Sequence, residues 1–324
     1  MTGLSLSHVS YVYGKDTPFY KEALSDITLS FTPGIITGII GQTGSGKSTL
    51  LEVLCGLLAP TSGQVFLDGE DINRSVREMT CDRMKEKGFH GDSPFWLSFA
   101  HHSAWRAAKQ DAQAVKRQLH ARVGLVMQYP EYQLFDETVL SDIAYGPRNM
   151  GKSKEEAEAC AAEAAPLFGV SPDWFSRSPF DLSGGEKRRV AIAGVLAMHP
   201  DILILDEPAA GLDPVGRKII FEGIANYNRN TGATVIFVSH SMEDLAQYCR
   251  QVVVMHEGRI RGQGTPDEIF ARADDLRQMG LDIPQVTYIA QELIRQGIPL
   301  SGDLSTLDSV KRAILAYWEG RERS

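Results

Sequence analysis

Residues 34–58 read GIITGII, then GQTGSGKST, then on through LLEVLCGLL. No other stretch restricts the fold as much. A short apolar run of the buried-strand kind feeds a glycine-rich turn, and a helix follows with Leu50, Leu54, Leu57 and Leu58 expected on one face. GQTGSGKST matches G-x-x-x-x-G-K-[ST] in the strand-then-helix setting that this motif needs. Gly44 and Gly46 let the backbone curl so that its N–H groups point inward at phosphate oxygens. The helix starting near Lys47 adds the positive end of its dipole. Lys47 supplies a cation to β- and γ-phosphates, and the Ser48 hydroxyl can complete a Mg²⁺ shell. The candidate contact set along the loop is Gly41, Thr43, Gly44, Ser45, Gly46, Lys47, Ser48 and Thr49.

The rest of the chain supplies the sheet that such a loop requires. RVGLVMQ, DILILDEP and ATVIFVSH are short, apolar and β-rich, with helical stretches between them; one of these opens on a Ser153/Glu156 capping box. LSLSHVSYVY (4–13) and ALSDITLSF (23–31) alternate as half-exposed antiparallel strands do. The expected class is α/β, with a largely parallel central sheet. No apolar run approaches the ~18–20 residues of a membrane span, and MTGLSLSHVSYVY lacks the features of a signal peptide. The formal net charge of −8 gives no global field for nucleic acid. The cysteines Cys55, Cys81, Cys160 and Cys249 have no C-x-x-C spacing, which argues against a disulfide framework or zinc site and fits a reducing compartment.

Two further segments carry chemistry. ILILDEP (202–208) is an apolar strand ending in two acids. Asp206 is placed to hold Mg²⁺ through water, and Glu207 to orient or deprotonate a water aimed at the γ-phosphate. In LSGGEKRRVAIA, Ser183, Gly184 and Gly185 precede a helix and form a second anion-binding helix start. Two phosphate grips with one such lysine imply a site shared between two copies or two related chains.

After GRIRGQGTP (258–266) the texture changes. One helix is expected with Pro284 in its first turn and Ile283, Val286, Ile289, Ala290 and Leu293 along one face. A second carries Leu307, Val310, Ile314 and Tyr317. These stripes are expected to pack on the chain's own domain. Residues 75–118 read as a surface insertion; its Cys81, His90, His101 and His102 have no ligand spacing.

In order, the phosphate loop, LSGGE, ILILDEP, AGLD (210–213) and FVSH (237–240) closely resemble the ATP-binding cassette (ABC) ATPases, over residues 4 to 264. The resemblance implies a P-loop cassette at 1–264, with parallel-sheet core, antiparallel β subdomain and a helical subdomain at about 128–190, then a helical extension at 265–324. It gives Tyr13 the adenine-stacking role and Gln128 the sensing of Mg²⁺ and γ-phosphate. Asp213 becomes the acid coupling two composite sites, and His240 the switch histidine. Ser183, Gly184, Gly185 and Glu186 become the signature that completes a partner's ATP site.

QYPEYQLFDETV (128–139) and DIAYGPRN narrow the resemblance to ATPases of energy-coupling factor (ECF) transporters, and GLDIPQVTYIAQELIRQGIP to the second of their paired ATPase subunits. That family implies a short helix starting at Pro130 that docks on a transmembrane T subunit, with Leu134 and Phe135 giving apolar contact and Glu131 and Asp136 acidic contact. It further implies a second ATPase, a substrate-binding S subunit, uptake of vitamins or other micronutrients, and a peripheral place on the cytoplasmic membrane face. The alternative is a homodimeric ATPase of a cobalt or nickel uptake system. A non-transport ABC machine fits less well, because the chain has one cassette, no heptads in its insertion and negative charge. A small-molecule kinase leaves LSGGE and His240 unexplained. Glu186 in place of the commoner glutamine, Met127 in place of phenylalanine and the length of the 75–118 insertion depart from the pattern.

Overall fold

Strand β3 (Ile36–Gly41) is buried at every position, so it has to be covered on both faces. In the computed structural model, which describes residues 3–74 and 119–322 together with 106, 107, 109–111 and 115, it lies inside a six-stranded sheet of order β10-β9-β3-β8-β7-β6. The neighbours β6 (Val123–Val126), β7 (Ile202–Asp206), β8 (Thr234–Val238) and β9 (Gln251–His256) all run parallel to it. Only the edge strand β10 (Arg259–Gly264) is antiparallel. A second, antiparallel sheet joins β1 (Leu4–Tyr13), β2 (Lys21–Phe31), β4 (Ser62–Leu67) and β5 (Glu70–Asp71) in the order β2-β1-β4-β5.

The pleat divides the core. Ile39, Ile204, Ile236, Val238 and Val253 face a cluster shared with Leu4, Leu6, Leu24 and Ile27 of the antiparallel sheet and Leu50, Leu51 and Leu54 of helix α1 (Lys47–Leu54). Their alternate neighbours Ile40, Leu203, Leu205, Val235 and Phe237 face the larger cluster on the other side, filled by helices. Those helices are α2 (Val139–Asn149), α3 (Lys154–Ala164), α4 (Gly184–Leu196), α5 (Pro214–Thr231) and α6 (Met242–Tyr248). The expected α/β class and parallel sheet are thus present, as is the Ser153/Glu156 capping box.

Some apolar stripes end sooner than their spacing implies. Helix α1 stops at Leu54, and Gly56 turns left-handed (φ 71°), so Leu57 is thrown into solvent while Leu58 keeps a partial contact. Beyond β10, α7 (Pro266–Phe270) and α8 (Ala273–Gln278) place Ile269, Phe270, Leu276 and then Leu281 and Ile283 in the large cluster. Helices α9 (Gln285–Arg295) and α10 (Leu307–Glu322) instead build a small cluster of their own around Ala290, Leu300 and Val310. Pro284 caps α9 rather than sitting inside it, and Ile289 and Leu307 are exposed, against expectation. Among the described residues no helix is long and apolar enough to cross a membrane. The cysteine and histidine positions 81, 90, 101 and 102 lie outside the described residues.

Parallel order has one consequence for function. β3, β8, β7 and β6 are consecutive neighbours and all end on the same side of the sheet. Crevices beyond the carboxyl ends of parallel strands are where open α/β sheets bind ligands. The residues following those four ends are the phosphate loop, Ser239–His240, Glu207 and Gln128.

Candidate functional site

The phosphate loop leaves β3 at Gly41 and enters α1 at Lys47. Gly44 (φ 83°) and Gly46 (φ 98°) hold conformations that L side chains rarely adopt. A Cβ at Gly46 would run into the Ala23 carbonyl, whereas one at Gly44 would point into open space. The Lys47 ammonium is buried and donates to the carbonyls of Gly41 (2.7 Å) and Gln42 (2.9 Å). Burial pushes its pKa down, and the negative charges of Glu207 and Asp206 work against that shift. The Ser45 hydroxyl is buried without a hydrogen-bond partner. A concave loop whose cation is hydrogen-bonded to neutral carbonyls, with an orphaned hydroxyl beside it, fits an anion of phosphate chemistry. Thr43 and Ser48 are exposed beside it. Thr49 is buried, and its hydroxyl meets the Tyr13 hydroxyl at 3.2 Å, tethering the end of β1 to the loop. The Tyr13 ring stands edge-on to Tyr11.

Asp206 is the last residue of β7, paired with Val238 of β8. Glu207 then takes φ 49°, while its N–H still bonds the Val238 carbonyl (3.1 Å). A non-glycine residue held there costs about 1–3 kcal/mol, strain of the kind that collects at functional sites. The result is that the Glu207 carboxylate meets His240 Nε2 at 2.8 Å. A cavity of about 310 Å³ opens beside this pair, lined also by Gly211, Leu212 and Ser239. Behind it, Arg217 of α5 forks onto Asp244 of α6 (2.6–3.0 Å), and the Ser239 hydroxyl donates to the same carboxylate. Burial raises the Asp244 carboxyl and Arg217 pulls it back down.

Ser183 caps α4 in a reciprocal box: its hydroxyl accepts from Glu186 N–H (3.4 Å) and its own N–H donates to the Glu186 carboxylate (2.8 Å). Glu186 is therefore engaged in shaping the helix start. Asp213 is similarly occupied, accepting from the N–H groups of Val215 (2.8 Å) and Gly216 (2.9 Å) as the cap of α5. Among the described residues no hydrogen bond or ion pair joins 183–186 to 41–49. The loop, Asp206, Glu207, Gln128 and His240 are gathered along adjacent strand ends, and the α4 start is not bonded to them.

The family model for the ABC transporter matches residues 24–94 and 100–210. The chain belongs to this family. It is 41% identical to the energy-coupling factor transporter ATP-binding protein EcfA2 of Caldanaerobacter subterraneus, covering 98% of each chain. It is 42% identical to the protein of that name in Acetivibrio thermocellus, over 97% of this chain and 98% of the other. Among solved structures, cbiO1 from Clostridium perfringens, part of the ABC transporter complex cbiONQ, shares 30% identity at a TM-score of 0.66, covering 89% of this chain and 98% of that one. The resemblance read from the motifs, and the cassette fold it implied, are borne out.

In this cassette the segment after β6 does form a short helix with Pro130 at its start: a 3-10 turn at Pro130–Gln133, entered through Tyr129 at φ 58°. Gln128 before it is exposed. Three of the contacts expected of the segment are corrected. Leu134 is in the large core cluster, not on the surface. Glu131 is paired with buried Arg188 of α4. Asp136 is paired with Arg148 (2.9 Å). The large apolar side chains left exposed are aromatic: Tyr132 (84%), Phe135 (57%) and Tyr129 (47%). Phe135 stands edge-on to Tyr145 at 4.7 Å, beside a groove of about 750 Å³ that continues past Gly146, Met150 and Met198. Tyr145, Met150 and Arg188 were not singled out from the sequence. The first two belong to DIAYGPRN and the residues just after it, where an exposed aromatic in an otherwise amphipathic helix was the available signal.

Proposed function

We propose that this chain is one of two ATPase subunits powering an ECF-type importer, and that it docks on a membrane T subunit through the 129–136 turn and the groove beside Phe135. It is an ATP-binding subunit of the ECF class whose hydrolysis is coupled to transport, as its ABC membership and near full-length similarity to ECF ATP-binding proteins support. The observation that carries the catalytic reading is the Glu207–His240 pair at 2.8 Å beyond β7 and β8, alongside the phosphate loop on β3.

The geometry supports the following roles. Backbone N–H groups of the Gly44–Gly46 turn and the Lys47 ammonium hold the phosphates, Lys47 exchanging neutral carbonyls for charged oxygens. Tyr13, steadied by Thr49, offers its exposed ring to the base. Ser48, Gln128 and Asp206 are oxygen donors of the kind Mg²⁺ takes alongside substrate phosphates. Mg²⁺ bound there would offset charge on the β- and γ-phosphate oxygens. Glu207 takes a proton from, or orients, the attacking water, and His240 fixes its carboxylate; contact of His240 with the γ-phosphate is read from family likeness. Ser183 and the N–H groups of Gly184 and Gly185 serve a partner's nucleotide, and Asp213 borders the same seam.

The T subunit, S subunit and second ATPase are read from family likeness, and purification from membranes tests them. The tagged chain, extracted in mild detergent, is expected to bring down a different ABC ATPase and a polytopic membrane protein. Recovery of this chain as its own only ATPase partner favours the homodimeric metal-uptake type. A chain recovered without any membrane protein, or with nucleic acid, refutes the transporter reading.

A further inference from the structure

Arg188 lies in the second turn of α4, downstream of Ser183, and is only 2% exposed. A buried guanidinium is retained only when its donors are satisfied, so its partners matter. Nε donates to Glu131 Oε2 (2.9 Å) and one terminal nitrogen to Glu131 Oε1 (2.7 Å), a bidentate fork. The other terminal nitrogen donates to the carbonyl of Ala210. The guanidinium also sits over the Tyr129 ring, 5.6 Å from its centroid. One side chain thus contacts three separate parts of the cassette: the turn after Gln128, the helix that Ser183 opens, and the 210–213 loop leading to Asp213.

We propose that Arg188 is a positioning residue that transmits displacement of the 129–136 turn to the two elements this cassette offers its partner, the α4 start and the 210–213 loop. A planar fork bonded through each of its three nitrogens moves as one body with its partners. A shift of the turn, imposed by a membrane subunit pressing on Tyr132 and Phe135, therefore carries Ser183 and Ala210 with it. The buried pair also explains why Glu131 is unavailable to the membrane subunit: its charge faces inward, along the relay. This inference rests on the docking proposed above.

The test uses the whole transporter, purified with its membrane subunits and reconstituted in vesicles. Glu131→Gln keeps the size of the side chain but removes the charge, and Arg188→Lys keeps the charge but cannot bridge Glu131 and Ala210 together. Thermal melting selects the variant that folds, and Glu131→Asp stands in if neither does. The expected result is retained membrane subunits, ATP affinity within about twofold, and transport per ATP hydrolysed lowered by about 2- to 30-fold, the range over which residues between coupled sites act. A merely structural role would lower uptake and hydrolysis together and leave their ratio unchanged, which overturns the relay alone. A wild-type chain that carries no membrane subunit overturns the docking reading and this inference with it.

Discussion

Leu134 and Phe135 are adjacent, both apolar, and opposite in environment, so they separate stability from docking. Leu134 is 8% exposed within the large core cluster; Phe135 is 57% exposed and touches Tyr145 edge-on. The backbone between them is pinned independently, because the N–H groups of Phe135 and Asp136 both donate to the Asp142 carboxylate at 2.9 Å. Side-chain truncation therefore acts on packing, not on the course of the turn. Leu134→Ala removes a buried side chain at a cost of about 2–5 kcal/mol. A position at the border of a cluster collapses more readily than one at its centre, which places the cost at about 2–3 kcal/mol. At about 2–4 °C per kcal/mol for a protein somewhat smaller than this one, the melting temperature should fall by about 4–12 °C. Phe135→Ala loses the edge-to-face contact, about 0.5–1.5 kcal/mol, and should lower it by no more than about 6 °C.

The order should reverse for partner retention. Phe135→Ala, still folded at the assay temperature, should release the membrane subunit in detergent, while Leu134→Ala, below its lowered melting temperature, should keep it. Both are read by thermal unfolding of the purified chain and by co-purification of the complex. A Leu134→Ala chain that melts within about 2 °C of wild type refutes its placement in the core, since the near-complete burial of a leucine cannot be that cheap to undo.

Lys47→Ala should weaken ATP binding, whereas Glu207→Gln should keep binding and slow turnover by about 10²-fold or more, as loss of a positioned base does; wild-type turnover in the latter removes Glu207 from the mechanism. Hydrogen bonding from Ser183, its side chain and then its N–H, holds the Glu186 carboxyl below its ordinary value. That stabilisation is complete above the unfolded value of about 4.3 and is lost as pH falls through the lower folded one, so the melting-temperature gap between wild type and Glu186→Gln should narrow from pH 6 towards pH 3. Gly280 sits at φ 64° with Gln42 of the phosphate loop packed where its Cβ would be. Gly280→Ala should cost about 1–2 kcal/mol in backbone conformation alone and weaken ATP binding as well; intact affinity, measured with a fluorescent nucleotide, would separate the C-terminal segment from the loop.

What the sequence disclosed follows the range of the forces involved. Strands buried on both faces are written as continuous apolar runs, so β3, β7 and β8 and the groups at their ends could be read directly. Helical spacing says which residues could share a face and not where the helix stops, which is why Leu57, Ile289 and Leu307 were expected inside and are not. The caps at Ser183 and Thr265 were legible as S/T-x-x-E, and weighing that pattern would have assigned Glu186 its structural part. The pairs Glu131–Arg188 and Asp136–Arg148 had no local signature, since ion pairs across 57 and 12 residues leave no trace in periodicity. Acids in an amphipathic-looking turn then read as surface charge, although both were already neutralised from within.

The capping box also sharpens the case for a shared site. A helix start presents several backbone N–H groups without intrahelical partners. In α4, Ser183 satisfies that of Glu186, and the N–H of Lys187 bonds the Ser183 carbonyl. Among the described residues those of Gly184 and Gly185 remain, at an exposed turn where a Cβ on Gly184 would meet nothing. Glycine at both positions lets an anion approach the backbone closely, and the Ser183 cap fixes the direction in which those donors point. The chain's own Lys47 turns to Gly41 and Gln42, and its own Glu207 to His240. With its own loop supplied with a cation and its own acid supplied with a histidine, the α4 donors are not bonded to the site on β3, which supports the proposal that they serve the nucleotide of a facing cassette.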